Sequence, residues 1–395
     1  MATCREVSRR RRPAGEVASR ETPRERGESD RSMDGPALAA SSHDAEGKSS
    51  TDGKGGTSSN LWASLDDAAL RRLVAEQVPR FQNRPYLADS FAVHSALAAG
   101  LEGSLEGDYC WSLSFAPEFV RTLCAEGFVP ISCELGGNTG LFVLLPKLHE
   151  ERCVLHFDSL HVPRKVRRRA LRESHRLSVD DAFDAVLAGC VRQHGDTWLH
   201  PPLRSALEAM SGGSSADPVA GDAGAVRVCS FALWHGHELV AGEFGVAIGR
   251  VYTSFSGFHT ANGAGALQIV LTAMLLRRAG FAWWDLGQAH DYKIAHGATV
   301  MPRTHFLDQF RRQRALPNAM APLLASREDG ASFGAAELLR HEKERASACA
   351  DGRLLVPDSR CSDAVGTAAD GIALGTLHGA ASRCGTAEPS ATLLS

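Results

Sequence analysis

The sequence predicts an α+β fold, a mixed sheet flanked by helices, and three observations carry that reading. Residues 226–234, 238–248 and 251–258 read as strands joined by tight turns at His235-Gly236-His237 and Gly249-Arg250, which makes an antiparallel meander. An apolar helix over 264–278 follows, with Arg277 and Arg278 at the end where a helix favours cations and Gly280 as its stop. A strand over 281–286 and a helix over 303–314 complete the run.

Upstream, residues 61–77 have the apolar spacing of an amphipathic helix, with Ser64 placed to cap it. Phe142-Val-Leu-Leu145 and Cys153-Val-Leu-His-Phe157 read as strands. Pro163 opens a basic helix over 164–173. Ser178-Val-Asp-Asp reads as the start of a helix that presents Phe183, Val186, Leu187, Cys190 and Val191 on one face. A further helix over 201–210 is stopped by Ser211-Gly-Gly213. Residues 1–60 carry Arg9-Arg-Arg-Arg12 and a Ser/Gly/Asp tract with no aromatic residue, so the expectation is a disordered tail. Residues 319–395 form a second low-complexity tail with one short helix near 335–345. Between them, 61–160 is expected as a smaller α/β domain and 161–318 as the main domain.

Composition excludes several classes. The net charge is −3 with a pI near 6.6, so any nucleic-acid site must be a local patch. None of the 10 cysteines is paired as C-x-x-C, and most sit in apolar segments, which reads as buried reduced thiols in a cytoplasmic protein. No apolar run is long enough to span a bilayer, so no membrane partner is expected. Phosphate-binding glycine loops, a nucleophile elbow and a convincing metal cluster are absent; His290 and His296 are weak evidence for metal. No cofactor is implied.

Three constellations carry chemistry. Asp285 ends a run holding Trp283 and Trp284, and is followed by Gly287, Gln288 and Asp291. A carboxylate in apolar surroundings needs a partner. It accepts hydrogen bonds from a substrate amine, holds a general-base partner, or caps the next turn; Lys293 is the chain's own alternative partner. The second is Glu243, in a run as apolar as 239–246. By counting from the Gly249 turn it falls within one residue of opposite Phe255, with Ser256 and Phe258 beyond. Such a Glu is on a solvent face or lines a polar cavity. The third is the basic run Arg164, Lys165, Arg167, Arg168, Arg169, Arg172 and Arg176, either a solvated face or a phosphate contact.

The element order is that of N-acetyltransferase-type acyltransferases. Over about residues 115–318, the chain resembles the leucyl/phenylalanyl-tRNA–protein transferases. The ordered blocks are Ser159-Leu-His-Val-Pro-Arg164; Asp196-Thr-Trp-Leu199; Glu238-Leu-Val-Ala-Gly242 with Phe244-Gly-Val-Ala247; Phe258 before a small-residue helix start; Asp285 with Gly297-Ala298; and Pro302-Arg303 through Phe306-Leu307 to Leu316-Pro-Asn318. The resemblance implies an N-acetyltransferase-like sheet and a metal-free, cofactor-free aminoacyl transfer. Leu-tRNA or Phe-tRNA would be the donor and a protein with N-terminal Arg or Lys the acceptor, marked thereby for degradation. It further implies that Trp198 lines the pocket for the donor's side chain or terminal adenosine. Asp285 would orient the acceptor amine and an activating amide, here Gln288. Glu243, Phe255, Ser256 and Phe258 are the other candidate substrate-binding residues. Arg164, Lys165, Arg168 and Arg172 are candidates for tRNA phosphates.

The chain departs from the family pattern in three places. Bacterial members place the amide two residues after the Asp, where this chain has Gly287. They carry Glu at the position of Phe255 and an apolar residue at that of Glu243, so the pair reads as swapped. A tryptophan-rich segment is replaced by Gly140–Pro146. Two other functions stay open. One is an acyl-CoA-dependent N-acyltransferase, with Asn262-Gly-Ala-Gly265 as the pyrophosphate loop. The other is a non-catalytic tRNA- or degron-binding module, motivated by Gly287.

Overall fold

The computed structural model describes residues 61–136, 139–195, 197–211, 224–325 and 331–351. The expectations for residues 1–60, for Asp196 and for 352–395 lie outside them. β1 (Val129–Glu134) and β2 (Phe142–Lys147) form a small antiparallel sheet. The main sheet has eight strands: β3 (Glu151–His156), β4 (His175–Val179), β5 (Val226–His235), β6 (Glu238–Ile248), β7 (Val251–His259), β8 (Trp283–Asp285), β9 (Thr299–Pro302) and β10 (Ala331–Gly334). Their order is β10-β4-β5-β6-β7-β8-β3-β9. Every pairing is antiparallel except β7–β8, whose parallel run requires the crossover helix Ala264–Ala279. This is the mixed sheet with flanking helices that the sequence predicts.

Alternating side chains feed two cores on opposite faces of this sheet. On one face Phe244, Val246, Phe258 and Trp283 pack with Val186, Leu187, Leu203, Phe306 and Phe310 from helices Phe183–His194, Pro201–Ser211 and Arg303–Arg314. That core also takes in Leu87, Val93, Phe119 and Leu123 from the segment before β1. On the other face, Phe231, Tyr252, Trp284 and Leu155 meet Leu267, Val270, Leu271 and Leu275 of the crossover helix. The basic helix Arg164–Arg172 packs here through Val166 and Ala170.

Some local expectations are corrected. Asp66, not Ser64, caps the first long helix, accepting from the Ala69 amide; Ser64 ends a short 3-10 turn. Ser178 lies in β4 opposite Ala232, and the helix begins at Phe183. Asp180 takes a left-handed φ of 56° and accepts from the Ser230 amide at 2.7 Å, so the chain leaves β4 by a side-chain-held turn. The late helix runs over Ala335–Ala350, and β10 before it adds an edge strand to the main sheet. Among the described residues no helix is long and apolar enough to cross a membrane. The seven described cysteines are free, five of them buried.

Candidate active site

The parallel β7–β8 pairing lasts three residues, ending at Thr253 and Asp285. β8 stops there while β7 continues to His259. At the same level β7 bulges: Ser254 pairs with Gly245 and Ser256 with Phe244, leaving Phe255 as the extra residue. A Cβ on Gly245 would collide with the Thr253 carbonyl, so only glycine fits this bulge. A notch therefore opens between the bulge and the turn after Asp285, with one edge of β7 lacking a strand partner among the described residues.

Asp285 is fully buried, and its partner is Arg152 of β3 rather than Lys293. The guanidinium donates through Nη2 to Oδ2 at 2.6 Å and through Nε to Oδ1 at 3.2 Å. It also donates to the Gly127 carbonyl, and its carbon lies 4.4 Å from the Phe306 ring centre. Thr253 Oγ1 donates to Oδ2 at 3.1 Å and the Gly287 amide to Oδ1 at 2.9 Å. Four donors thus fill the carboxylate. Gly287 has φ of 71°, so the chain turns sharply there, and the Gly287 carbonyl accepts from the Cys153 amide. The turn leaves the Gln288 side chain exposed, with no hydrogen bond to Asp285 among the described residues. Asp291 is exposed on the short helix Asp291–Ala295.

Glu243 is the other buried carboxyl, 7% exposed. It faces Gly257 in the ladder, not Phe255, because the bulge shifts the register by more than the counting from the turn allows. Ser254 Oγ donates to Glu243 Oε2 at 2.7 Å and accepts from Trp284 Nε1 at 2.8 Å. Among the described residues Oε1 has no hydrogen-bond partner, nor does the buried Tyr252 hydroxyl. Burial pushes the Glu243 carboxyl up to about 8, against the lowering pull of the Ser254 hydrogen bond and of Lys293. Lys293 itself is lowered, first by burial, and its ammonium donates to the Leu286 and Gln288 carbonyls at 2.6 and 2.8 Å. Thr253 and Asp285 sit on the Phe306 face; Ser254, Trp284 and Glu243 sit on the crossover-helix face. The two carboxyls therefore belong to different sides of the sheet, and both lie at the notch where β7 and β8 part.

Aromatic side chains line the helix Phe183–His194 side. Trp198 stacks on Phe244 (6.3 Å, 9°), and Phe183 and Phe255 meet the same ring edge-on, each at 6.1 Å. Trp198, Phe183 and Phe255 are each half-buried, so this cluster presents aromatic surface outward. The Trp198 carbonyl accepts from the Ser132 amide and hydroxyl, which fixes the segment to β1. Ser256 lies beside the Cys190 thiol. Phe258 is 5% exposed and seated over Gly189 and Gly242, where a Cβ would intrude into its ring. The structure thus brings Trp198 and Phe255 together around Phe244, and uses Phe258 in packing.

Arg164, Lys165, Arg168 and Arg172 span about 100° of their helix at 3.6 residues per turn. All four are exposed, opposite the buried Val166 and Ala170, and none forms an ion pair among the described residues. The segment before this helix docks on the turn after Asp285. The His161 amide donates to the His296 carbonyl at 2.9 Å, and His296 Nδ1 lies 3.2 Å from the His161 carbonyl. Gly297, at φ of 96°, leaves no room for a Cβ beneath the Ser159 carbonyl. The basic helix and the Asp285 turn are therefore mechanically joined.

Sequence reasoning missed Arg152 and Ser254. Arg152 could have been signalled by alternation: it lies in the strand adjoining Cys153-Val-Leu, and a buried Asp requires a cation. Ser254 gave no signal beyond its place in β7.

A family model described as leucyl/phenylalanyl-tRNA protein transferase matches residues 154–311, from β3 through most of helix Arg303–Arg314. The leucyl/phenylalanyl-tRNA–protein transferase of Nitratidesulfovibrio vulgaris (strain DP4) is 35% identical over 162 residues, which cover 40% of this chain and 64% of that protein. The one from Nitrobacter winogradskyi is 29% identical over 232 residues, 58% of this chain and 90% of the relative. That from Shewanella denitrificans is 29% identical over 162 residues, 40% and 64% respectively. The match thus spans just under two thirds of the first of these relatives and nearly all of the second. Over residues 154–311 the chain is thus similar to the leucyl/phenylalanyl-tRNA protein transferases.

Proposed function

We propose that this protein transfers leucine or phenylalanine from an aminoacyl-tRNA to the N-terminal Arg or Lys of a protein, marking that protein for degradation. The observation that carries this reading is the buried Glu243 carboxyl at the notch, which accepts from Ser254 through one oxygen and has no hydrogen-bond partner for the other among the described residues. An α-amine titrates near about 7.7–8.0, and Glu243 near about 8, so proton exchange between them is close to balanced at neutral pH. A base is most effective when its pKa lies near the working pH, and general-base help is worth roughly 10²–10⁴-fold.

The chemistry closes without a covalent enzyme intermediate. The acceptor amine attacks the ester carbonyl carbon and the C–N bond forms. The ester C–O bond breaks, and the ribose oxygen leaves. Ionised Glu243 takes the proton that the amine sheds, and a proton returns to the departing ribose oxygen. The unpaired edge of β7 supplies backbone groups to hold the reactants, and alignment alone can account for roughly 7–11 kcal/mol of the barrier at best. The aromatic surface of Trp198, Phe183 and Phe255 suits a leucyl or phenylalanyl side chain or a stacked adenine. The basic stripe holds the phosphates of the tRNA acceptor stem. Asp285 acts as a positioning residue: with Arg152 it fixes the Gly287 turn that forms the notch wall. Gln288, exposed beyond that turn, reaches the reactants only from the solvent side.

The test offers labelled Leu-tRNA, Phe-tRNA and acetyl-CoA, each with peptides beginning in Arg or Lys. Ribonuclease-sensitive label transfer is expected from an aminoacyl-tRNA, and Glu243→Gln should lower it by at least about 100-fold. Transfer from acetyl-CoA alone, or saturable tRNA binding without transfer, would overturn the reading.

A further inference from the structure

Where β4 begins and β5 closes, three side chains converge near the end of the basic helix. Glu173 is the C-cap residue of that helix. His175 opens β4, and His235 closes β5 directly across the ladder from it. The two imidazoles stack with centroids 4.6 Å apart and planes 17° from parallel. Glu173, His175 and His235 each bring one ligand atom to within 4.8 Å of the others.

His175 is the second observation. Its side chain is 4% exposed, yet among the described residues Nδ1 has no hydrogen-bond partner, and Nε2 lies 3.7 Å from Glu173 Oε2, beyond hydrogen-bond distance. A buried imidazole with neither nitrogen well bonded is unfavourable unless something supplies the missing contact. Burial and the neighbouring His235 hold His175 below its usual range.

We propose that Glu173, His175 and His235 bind a zinc-class divalent cation, which clamps the end of the basic helix to the β4–β5 edge. Two imidazoles and one carboxylate are ligands of the type that zinc takes with an open fourth position. Bonds of about 2.0–2.2 Å require the three atoms to draw together by roughly an ångström. Two of the ligands are exposed and free to move that far. Oxygen-seeking magnesium is not suited to this set. Arg169 competes for Glu173, lying 3.3 Å from its carboxylate while also donating to the Asn262 carbonyl, which keeps the site from being tight.

The experiment uses the full chain after chelator treatment. Zn²⁺ is titrated by calorimetry, and Co²⁺ binding is read from its visible absorption. His235→Ala and Glu173→Gln change exposed side chains, and circular dichroism confirms that each variant is folded. The expected result is one Zn²⁺ equivalent more in the wild type than in His235→Ala. Glu173→Gln should weaken that equivalent by at least about tenfold, and excess Mg²⁺ should not displace it. Equal stoichiometry and equal Co²⁺ spectra in the wild type and His235→Ala would overturn the site, as would the absence of any Zn²⁺ binding.

Discussion

At the scale of the residue, the two buried carboxyls differ in what surrounds them, and that difference decides what each can do. Asp285 is met by a guanidinium, a hydroxyl and an amide. Glu243 has one hydroxyl donor and one orphan oxygen. Ser254→Ala removes that donor, so Glu243 should titrate still higher. The rise of kcat/KM with pH should move up by roughly one pH unit, and an unchanged profile would count against Glu243 as the base. The same carboxyl carries a stability signature. Its folded pKa, about 8, is raised above the ordinary 4.5. The stability it contributes is therefore fully present below about 4.5 and lost as pH rises through about 8. Glu243→Gln escapes that loss, so it should be about 1–3 kcal/mol more stable than the wild type at pH 9 and not at pH 5. Urea unfolding at both pH values checks this. Asp285→Asn behaves oppositely: it strands Arg152 in the interior and should lose roughly 3–5 kcal/mol. The paired change Arg152→Met with Asp285→Leu should recover much of that stability without restoring transfer, because the Gly287 turn stays unheld. Recovery of activity with stability would show that Asp285 serves only the fold.

At the scale of the element, the meander and the crossover helix were legible because each follows from local rules. Glycine turns at 236 and 249, period-two alternation and a glycine stop at 280 need no tertiary information. The β7 bulge was not legible, since it depends on Gly245 meeting Thr253 across the ladder. That one irregularity moved Phe255 away from Glu243. β4 was misread for a similar reason: Ser178-Val-Asp-Asp has the composition of a helix start, but the strand is set by pairing with β5 and β10. The basic helix was legible in charge, and the structure adds its orientation. Neutralising Arg164, Lys165, Arg168 and Arg172 together should weaken tRNA binding at low salt. The salt slope should also fall by roughly 0.7–0.9 for each phosphate that the variant no longer neutralises. Neutralising the exposed Arg72 and Arg80, far along the chain, is the control. Equal effects from both sets would mean that charge acts without a defined stripe.

At the scale of the whole molecule, Arg303 shows how a short sequence block can serve architecture rather than chemistry. The Pro302-Arg303 block looked like part of a functional signature. Arg303 is instead 7% exposed and donates to four carbonyls, those of His149, Glu102, Leu105 and Gly107. Asn318 does the same work for the Ala225 and Ala247 carbonyls. Neither role could be read from the sequence, because the acceptors lie up to about two hundred positions away. Arg303 joins the helical segment before β1 to the end of the main sheet, and one apolar core takes residues from both. Arg303→Met leaves those buried carbonyls without donors and should lose roughly 3–5 kcal/mol. Since core and carbonyl clamp are shared, the loss should be felt on both sides. Hydrogen exchange should speed up together in residues 101–111 and in β3 and β9. Faster exchange confined to the segment before β1 would mean that this part unfolds independently of the sheet that carries the site.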